Sequence, residues 1–179
     1  MYRLIESFDK TLLDIFNKDL KHPVFDFLFP LITRLGEVVV FIPLCLGLFF
    51  LKKKRGRRAA ALLIITYIVS HIVFLGLKRL AHRPRPFLVY PDLNVIGTVP
   101  PFSSFPSGHV AMTTALAVVL GSKYEDLQWL MWIIVALVAV SRMYMGLHYP
   151  IDVVGGAAVG LGVGYLVLYG ERKFSKKSR

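Results

Sequence analysis

Residues 127–169 read LQWLMWIIVALVAVSRMYMGLHYPIDVVGGAAVGLGVGYLVLY. Two apolar runs, Leu127 to about Tyr144 and Pro150 to Tyr169, flank a short turn, and Arg142, His148 and Asp152 gather around that turn. A helix crosses the hydrocarbon of a bilayer in about 20 mostly apolar residues, and both runs come close to that length. Ionisable groups at the mouth of such a hairpin are expensive to hold near lipid and mark a functional site. Within the second run Gly156, Gly160 and Gly164 recur every four residues, a stripe that lets another helix approach closely.

The same pattern extends towards the N-terminus. Phe25 to Leu51, Ala59 to Leu77 and Ser107 to about Leu120 are three further candidate spans. The first carries Arg34 and Glu37, three residues apart and so on one helix face, which reads as an intramembrane ion pair. The third is short by hydropathy, but the spans on either side require it. About five spans make an all-α integral membrane bundle. The composition agrees: 55% of residues are hydrophobic and 18% charged, where soluble domains sit at about 45–50% apolar.

Residues 1–22 differ. Leu4, Ile5, Phe8, Leu12, Leu13, Ile15, Phe16 and Leu20 lie at helical spacing with charges between them, as in an amphipathic helix lying in the membrane interface and ended by Pro23. No continuous apolar core of a cleavable signal peptide interrupts these charges. The expected organisation is an interfacial helix over 1–22, one transmembrane domain over 23–171 and a basic cytoplasmic tail over 172–179. Cys45, the single cysteine, lies in an apolar run and reads as a small buried side chain.

The formal net charge is +11, but its distribution excludes nucleic acid as a partner. Six of the 22 Lys and Arg residues fall within Lys52–Arg58, five within Arg172–Arg179 and four within Lys78–Arg85, all beside apolar runs as membrane anchors are. By the positive-inside rule the first two blocks are cytoplasmic, and the even number of spans between them allows both assignments. The chain is then a multi-pass protein of the inner (cytoplasmic) membrane. The loop 79–106 and the turn at His148 face the extracytoplasmic side, as does the N-terminus. Lys78, Arg79, Arg83 and Arg85 oppose the rule there, so something other than topology requires them, and an anionic substrate does. The loop they open carries Pro84, Pro86, Pro91, Pro100, Pro101 and Pro106 over about 25 residues, a length that in a compact protein is usually functional.

Three cations, two histidines and a carboxylate thus converge at one membrane depth. Lys78, Arg85 and the planar fork of Arg142 suit phosphate oxygens. Pro106-Ser107-Gly108-His109 reads as a helix start, with Ser107 as cap and first-turn amides as an anion site. Asp152, four residues after His148, can reach one ring nitrogen and leave the other free to attack. His109, from another helix, can protonate a leaving oxygen. His82 reads as an ordinary loop histidine.

These residues carry a specific resemblance. Lys78, six residues, Arg85-Pro86; then Pro106-Ser107-Gly108-His109; then Ser141-Arg142, five residues, His148, three residues, Asp152: all three motifs match the type 2 phosphatidic acid phosphatase superfamily, in order and without a gap. That superfamily also includes vanadium haloperoxidases and non-specific acid phosphatases. The resemblance covers about residues 78–152 and implies a role for each position. Lys78, Arg85 and Arg142 would bind phosphate oxygens, with Ser107 and Gly108 adding a hydroxyl and backbone N–H. His148 would attack phosphorus and Asp152 would orient it. His109 would protonate the leaving group and then activate water. No metal or other cofactor is implied.

The expected function is a lipid phosphatase at the extracytoplasmic face, acting among membrane lipids on a lipid phosphate or diphosphate. Undecaprenyl diphosphate, phosphatidylglycerol phosphate and the 1-phosphate of lipid A all present phosphate at that depth, and the motifs do not choose between them. Rival readings are a phosphotransferase using the same histidine, a non-catalytic transporter or anionic-lipid-binding protein, and a zinc hydrolase ligated by His109, His148 and Asp152, against which the neighbouring cations argue. The sequence leaves the oligomeric state open.

Overall fold

The computed structural model describes residues 2–50, 54–99, 101 and 103–177. Leu51, at the end of the first expected span, and Lys52, Lys53, Pro100 and Arg179 lie outside the described residues. The elements are α1 (Tyr2–Asp14), continued by a π turn at Ile15–Asp19, α2 (Pro23–Thr33), α3 (Val38–Phe50), α4 (Lys54–Ala81), α5 (Pro86–Val89), α6 (Gly108–Lys123), α7 (Gln128–Tyr144) and α8 (Pro150–Lys177). There is no strand among the described residues.

The bundle is built around α6. Every residue from Val110 to Gly121 is buried, and α8, α7 and α4 pack around the helix. Its 16 residues rise about 24 Å, short for an independent span, but a helix enclosed by others needs no lipid-facing length of its own. The outer helices are inverted relative to a soluble protein. Ile64, Ile65, Ile68 and Ile72 of α4, Trp129, Leu130 and Ile133 of α7, and Val154, Tyr165 and Leu166 of α8 all point outward. Apolar surface of that extent belongs against lipid. α4, α8 and α7 with its 3-10 entry are each long and apolar enough to cross a membrane, and α2 with α3 form a fourth, bent candidate. With α6 in the middle the chain is an all-α, multi-pass membrane bundle.

The expected single helix from Phe25 to Leu51 is instead broken by a 52° bend. Arg34–Gly36 form a 3-10 turn, and Glu37 is extended. Gly36 is pressed onto α6: a Cβ there would stand 3.0 Å from Thr113 Oγ1 and 3.1 Å from the His109 carbonyl. The expected ion pair of Arg34 and Glu37 is absent as a result, because the shared helix face it required does not exist. Arg34 is exposed, while Glu37 turns towards His109.

Contact between α6 and α8 rests on the glycine stripe. A Cβ at Gly156 would lie 2.5 Å from the Ser107 carbonyl and one at Gly164 2.8 Å from Val118 Cβ. At Gly160 it would collide with the Ala111 carbonyl. α1 is amphipathic and lies across one end of the bundle. Leu4, Ile5 and Phe8 face outward, while Asp9, Leu13 and Asn17 are buried. Asn17 Nδ2 donates to the carbonyls of Tyr144 (2.6 Å) and Asn94 (2.8 Å), and the Asn94 amide donates back to Asn17 Oδ1 at 2.8 Å. These bonds tie the N-terminal helix to the end of α7 and to the proline-rich loop. Cys45 is buried in the core, as expected.

The stripe is directly testable by thermal unfolding in detergent. Gly160→Ala is expected to destabilise by about 1–3 kcal/mol through overpacking against backbone. Gly162→Ala, with nothing within 4 Å of the added methyl, is expected to be neutral or to stabilise by up to about 1 kcal/mol.

Candidate active site

Proline punctuation and helix ends bring the polar residues to the end of the bundle that α1 covers. Lys78 lies in the last turn of α4. Arg83, Pro84 and Arg85 lie in the non-helical link between α4 and α5, with Arg85 extended before Pro86 opens α5. Arg85 faces the cavity and Arg83 faces away from it. Gly108 and His109 open α6, Arg142 closes α7, and Asp152 sits in the first turn of α8. The result is a cavity of about 310 Å³ lined by Glu37, Lys78, Arg85, Gly108, His109, Arg142 and His148, with Tyr67, Phe74 and Met112 as its apolar wall. His82 lies outside it, exposed in the loop.

His148 is 2% exposed, and its two ring nitrogens have different neighbours. Nε2 faces Arg85 Nη1 at 3.4 Å. A guanidinium only donates, so Nε2 is the acceptor and Nδ1 carries the proton of the neutral ring. Nδ1 faces Asp152 Oδ2 at 3.7 Å, within ion-pair range and longer than a hydrogen bond. The gap has a cause: Oδ2 already accepts from the Tyr149 amide (2.9 Å) and from Ser104 Oγ. Burial pushes the His148 imidazole down to about 3, with Arg142 and Arg85 acting in the same direction and Asp152 against them. The ring is therefore neutral at physiological pH, the form in which a histidine nitrogen is a nucleophile.

The other expected residues are distributed around this ring. Arg85 Nη1 donates to the Leu147 carbonyl at 2.9 Å, Arg142 Nη1 to Thr33 Oγ1 at 2.9 Å, and Lys78 Nζ to the Ser103 carbonyl. His109 Nε2 stands 3.3 Å from Glu37 Oε1. Ser107 occupies the N-cap position of α6, but its hydroxyl makes no capping bond. Its amide is already given to the Asp152 carbonyl at 2.9 Å, so a first-turn amide for an anion has to come from Gly108 onwards. Ser107 Oγ, Arg142 Nε and His148 Nδ1 are buried without a hydrogen-bond partner. His148 Nδ1 has Asp152 at ion-pair distance; native proteins rarely leave atoms such as the other two orphaned, and Ser107 Oγ and Arg142 Nε beside His148 mark a place built around a polar ligand.

The structure corrects the reading of Arg83 as a cation required by an anionic substrate, and adds Asp9, which sequence reasoning missed. Arg83 bridges two buried carboxylates: Nη1 donates to Asp152 Oδ1 at 2.7 Å and Nη2 to Asp9 Oδ2, while the guanidinium lies over the Tyr149 ring, 4.1 Å from its centroid. Asp9 also accepts from the Ile151 amide at 2.9 Å. The available signal was the placement of Asp9 four residues before Leu13, on what proves to be the inward face of α1. Glu37 was visible as an ionisable residue in an apolar run but was assigned to Arg34 instead of His109; Thr33 and Ser104 carried no comparable signal, because their positions depend on the bend between α2 and α3 and on the path of the loop.

Comparison with known proteins agrees with the motif reading. The profile of the PAP2 superfamily matches residues 38–176. An undecaprenyl-diphosphatase of Sulfolobus acidocaldarius is 29% identical over 136 residues, covering 75% of this chain and 65% of that protein, so the match spans just under two thirds of the relative's length. Among solved structures, Aquifex aeolicus LpxE superposes with a TM-score of 0.80 at 28% identity, covering 90% of this chain and 94% of that one. The first transmembrane PAP2 type phosphatidylglycerolphosphate phosphatase from Bacillus subtilis gives 0.79 at 25% identity, covering 95% and 87%.

Removing the bridging cation tests the arrangement behind His148. Arg83→Leu leaves Asp9 and Asp152 buried without their shared partner and is expected to lower unfolding stability by about 3–5 kcal/mol. Arg79→Leu, at an exposed neighbouring position, is expected to stay within about 0.5 kcal/mol.

Proposed function

The chain belongs to the PAP2 superfamily, and from that premise we propose that it is a membrane lipid phosphatase that forms a phosphohistidine on His148. The observation that carries this reading is the His148 ring itself. It is buried, with Nδ1 facing Asp152 and Nε2 3.4 Å from Arg85 Nη1, in a cavity also lined by Lys78, Arg142, His71 and His109.

In this mechanism the phosphate occupies the cavity with its oxygens on Lys78, Arg85 and Arg142. The His148 Nε2 lone pair attacks phosphorus, a P–N bond forms, and the P–O bond to the lipid breaks on the opposite side. In this step His109 acts in its cationic form, favoured by the negative charge of the bound phosphate and by Glu37 Oε1 at 3.3 Å from Nε2; it gives one proton to the departing oxygen and is left as the neutral ring. The ring of His148 becomes cationic as it bonds, and the Asp152 carboxylate facing Nδ1 stabilises that charge. Water deprotonated by His109 then attacks phosphorus, the P–N bond breaks, and phosphate leaves. Charge grows mainly on the equatorial oxygens in phosphoryl transfer, so fixed cations and positioning supply most of the catalysis. The same three cations disfavour a metal ion between them.

The substrate class follows from depth and from the relatives. The site lies at the end of the spans, where a lipid headgroup lies, and the relatives are named for undecaprenyl diphosphate and phosphatidylglycerol phosphate. Lipid phosphates and diphosphates of this kind are the proposed substrates. The basic blocks at the other end of the bundle support an extracytoplasmic orientation of the site, by the positive-inside rule.

The test is phosphate release by purified protein in detergent with EDTA present, on undecaprenyl diphosphate, phosphatidylglycerol phosphate, phosphatidic acid and lipid A. Wild type is expected to release phosphate, vanadate to inhibit it, and His148→Ala to abolish it. Asp152→Asn is expected to lower kcat by orders of magnitude while leaving some activity. Full activity in His148→Ala, or loss of wild-type activity to EDTA, would overturn the mechanism. Transfer of the phosphate to an acceptor other than water would make the chain a phosphotransferase.

A further inference from the structure

At the opposite end of the bundle a second basic concavity stands between α4, α6 and α8. Its volume is about 650 Å³, and its cations are Lys54, Arg55, Arg58, Lys123 and Arg172. One carboxylate is present, Glu171, whose side chain is 8% exposed and is clamped by Arg58 Nε and Lys123 Nζ. Arg55 donates to the Lys123 carbonyl and lies over the Tyr124 ring, 4.7 Å from its centroid. Lys54, Arg55 and Arg172 have no carboxylate partner among the described residues. Topology alone requires positive charge at this end, but not its gathering from three helices around one concavity, at whose rim Lys54, Arg55 and Arg172 are exposed.

Two features specify the occupant. The first is depth. Arg58 and Lys78 are 20 residues apart on α4, and Asp152 and Arg172 are 20 apart on α8. At 1.5 Å per residue each pair spans about 30 Å, the thickness of the hydrocarbon core. With the catalytic cavity at one headgroup layer, this cleft lies at the other. The second feature is continuity. A groove lined by Val118, Trp132, Tyr165 and Leu168 shares Ser122, Leu168 and Arg172 with the cleft, and Glu125 is its one carboxylate. A phosphate in the cleft thus lies beside a groove between α6, α7 and α8 in which Val118, Trp132, Tyr165 and Leu168 form an apolar strip alongside the polar Ser122, Glu125 and Gln128. A free phosphate ion would have no use for that strip, whereas an acyl chain fits it.

We propose that this cleft is a binding site for an anionic phospholipid of the opposite leaflet, with its phosphate on Arg55, Lys54 and Arg172 and an acyl chain along the Trp132–Tyr165 groove. The clamp on Glu171 fixes the walls of the site, and the unpaired cations supply its charge. Basic pockets between transmembrane helices are a known mode of headgroup recognition. The site is separate from the phosphatase reading and does not depend on it.

The experiment compares wild type with Arg55→Gln/Arg172→Gln, which spares the Glu171 clamp. Each protein is purified in a neutral detergent and titrated with dioleoyl phosphatidylglycerol, dioleoyl phosphatidylcholine or inorganic phosphate. Thermal unfolding and native mass spectrometry give the readouts. In wild type, phosphatidylglycerol is expected to raise the melting midpoint by several degrees and to remain bound at one copy in the gas phase. The double variant is expected to lose most of both effects and to melt at the wild-type temperature without lipid. Equal protection by phosphatidylcholine, equal protection by inorganic phosphate, or undiminished binding in the double variant would each overturn the proposal. A double variant that already melts several degrees lower without lipid calls for Trp132→Ala, which should weaken phosphatidylglycerol binding and leave the cations in place; undiminished binding there would also overturn it.

Discussion

The closeness of α6 to α8 is the constraint from which the site follows. Glycine at 156, 160 and 164 brings the two backbones together without intervening side chains, and at the top of that contact the Ser107 amide donates to the Asp152 carbonyl. That one bond joins the start of α6 to the start of α8. It places Gly108 and His109 on one side of His148 while Asp152 stands on the other. Neither helix end could be displaced along the other by a turn, because the glycine stripe and the facing carbonyls interlock at fixed intervals of four residues. In lipid, where apolar contact with another helix has no hydrophobic advantage over contact with acyl chains, such close packing is what holds the interface.

Burying charge at the end of this bundle creates a second requirement. Lys78, Arg85 and Arg142 are all nearly inaccessible, and the acids near them are few. Asp152 is shared with Arg83, Arg83 is shared with Asp9, and Glu37 is turned to His109. α1 thus does more than lie on the bundle, since it supplies the carboxylate that balances Arg83 from behind. Arg83 in turn takes Asp152 Oδ1, while Oδ2 is held by the Tyr149 amide and Ser104 behind His148, so that the cations in front keep an excess of positive charge. A phosphate entering the cavity meets that excess in a region from which water is largely excluded, where electrostatic attraction is strong.

Much of this was legible in the sequence, and the reason is physical. A span is signalled by a long run of residues with one shared property, so α4, α7 and α8 stand out however the rest of the chain is arranged. The core of the site was also legible, because Arg142, His148 and Asp152 are close in sequence and their geometry is nearly local. The bend between α2 and α3 was not. Its cause is Gly36 meeting Thr113 and His109 across the bundle, and no local pattern encodes a contact between residues more than 70 positions apart. The unmade ion pair of Arg34 and Glu37 failed for the same reason. Asp9 and Arg83 were visible only as two charges in different segments, since the bridge between them exists only once α1 has docked. Ser107 was read correctly as a helix start and incorrectly as a capping hydroxyl, because burial against α8 committed its amide and left its Oγ inside.

The bend also shapes what can reach the histidines. A straight helix from Phe25 to Phe50 would carry Glu37 on a regular face of the helix, whereas the extended residue after the 3-10 turn directs it to His109 Nε2. The cavity beside it is walled by Tyr67, Phe74 and Met112 from α4 and α6. One side of the cavity is therefore charged and the other apolar, which suits a molecule with a phosphate at one end and hydrocarbon at the other. Under the proposed function the cations read the phosphate, whose geometry is the same in every lipid of the class, while the opposite wall is mainly apolar through Phe74 and Met112, with Tyr67 and His71 as its hydrogen-bonding groups. An architecture of this kind discriminates by what lies within a few ångströms of phosphorus. Under the proposed function, differences between lipids in headgroup charge and size are read there, at Glu37, His109 and the loop that begins at Arg83, more than along the chains in the bilayer.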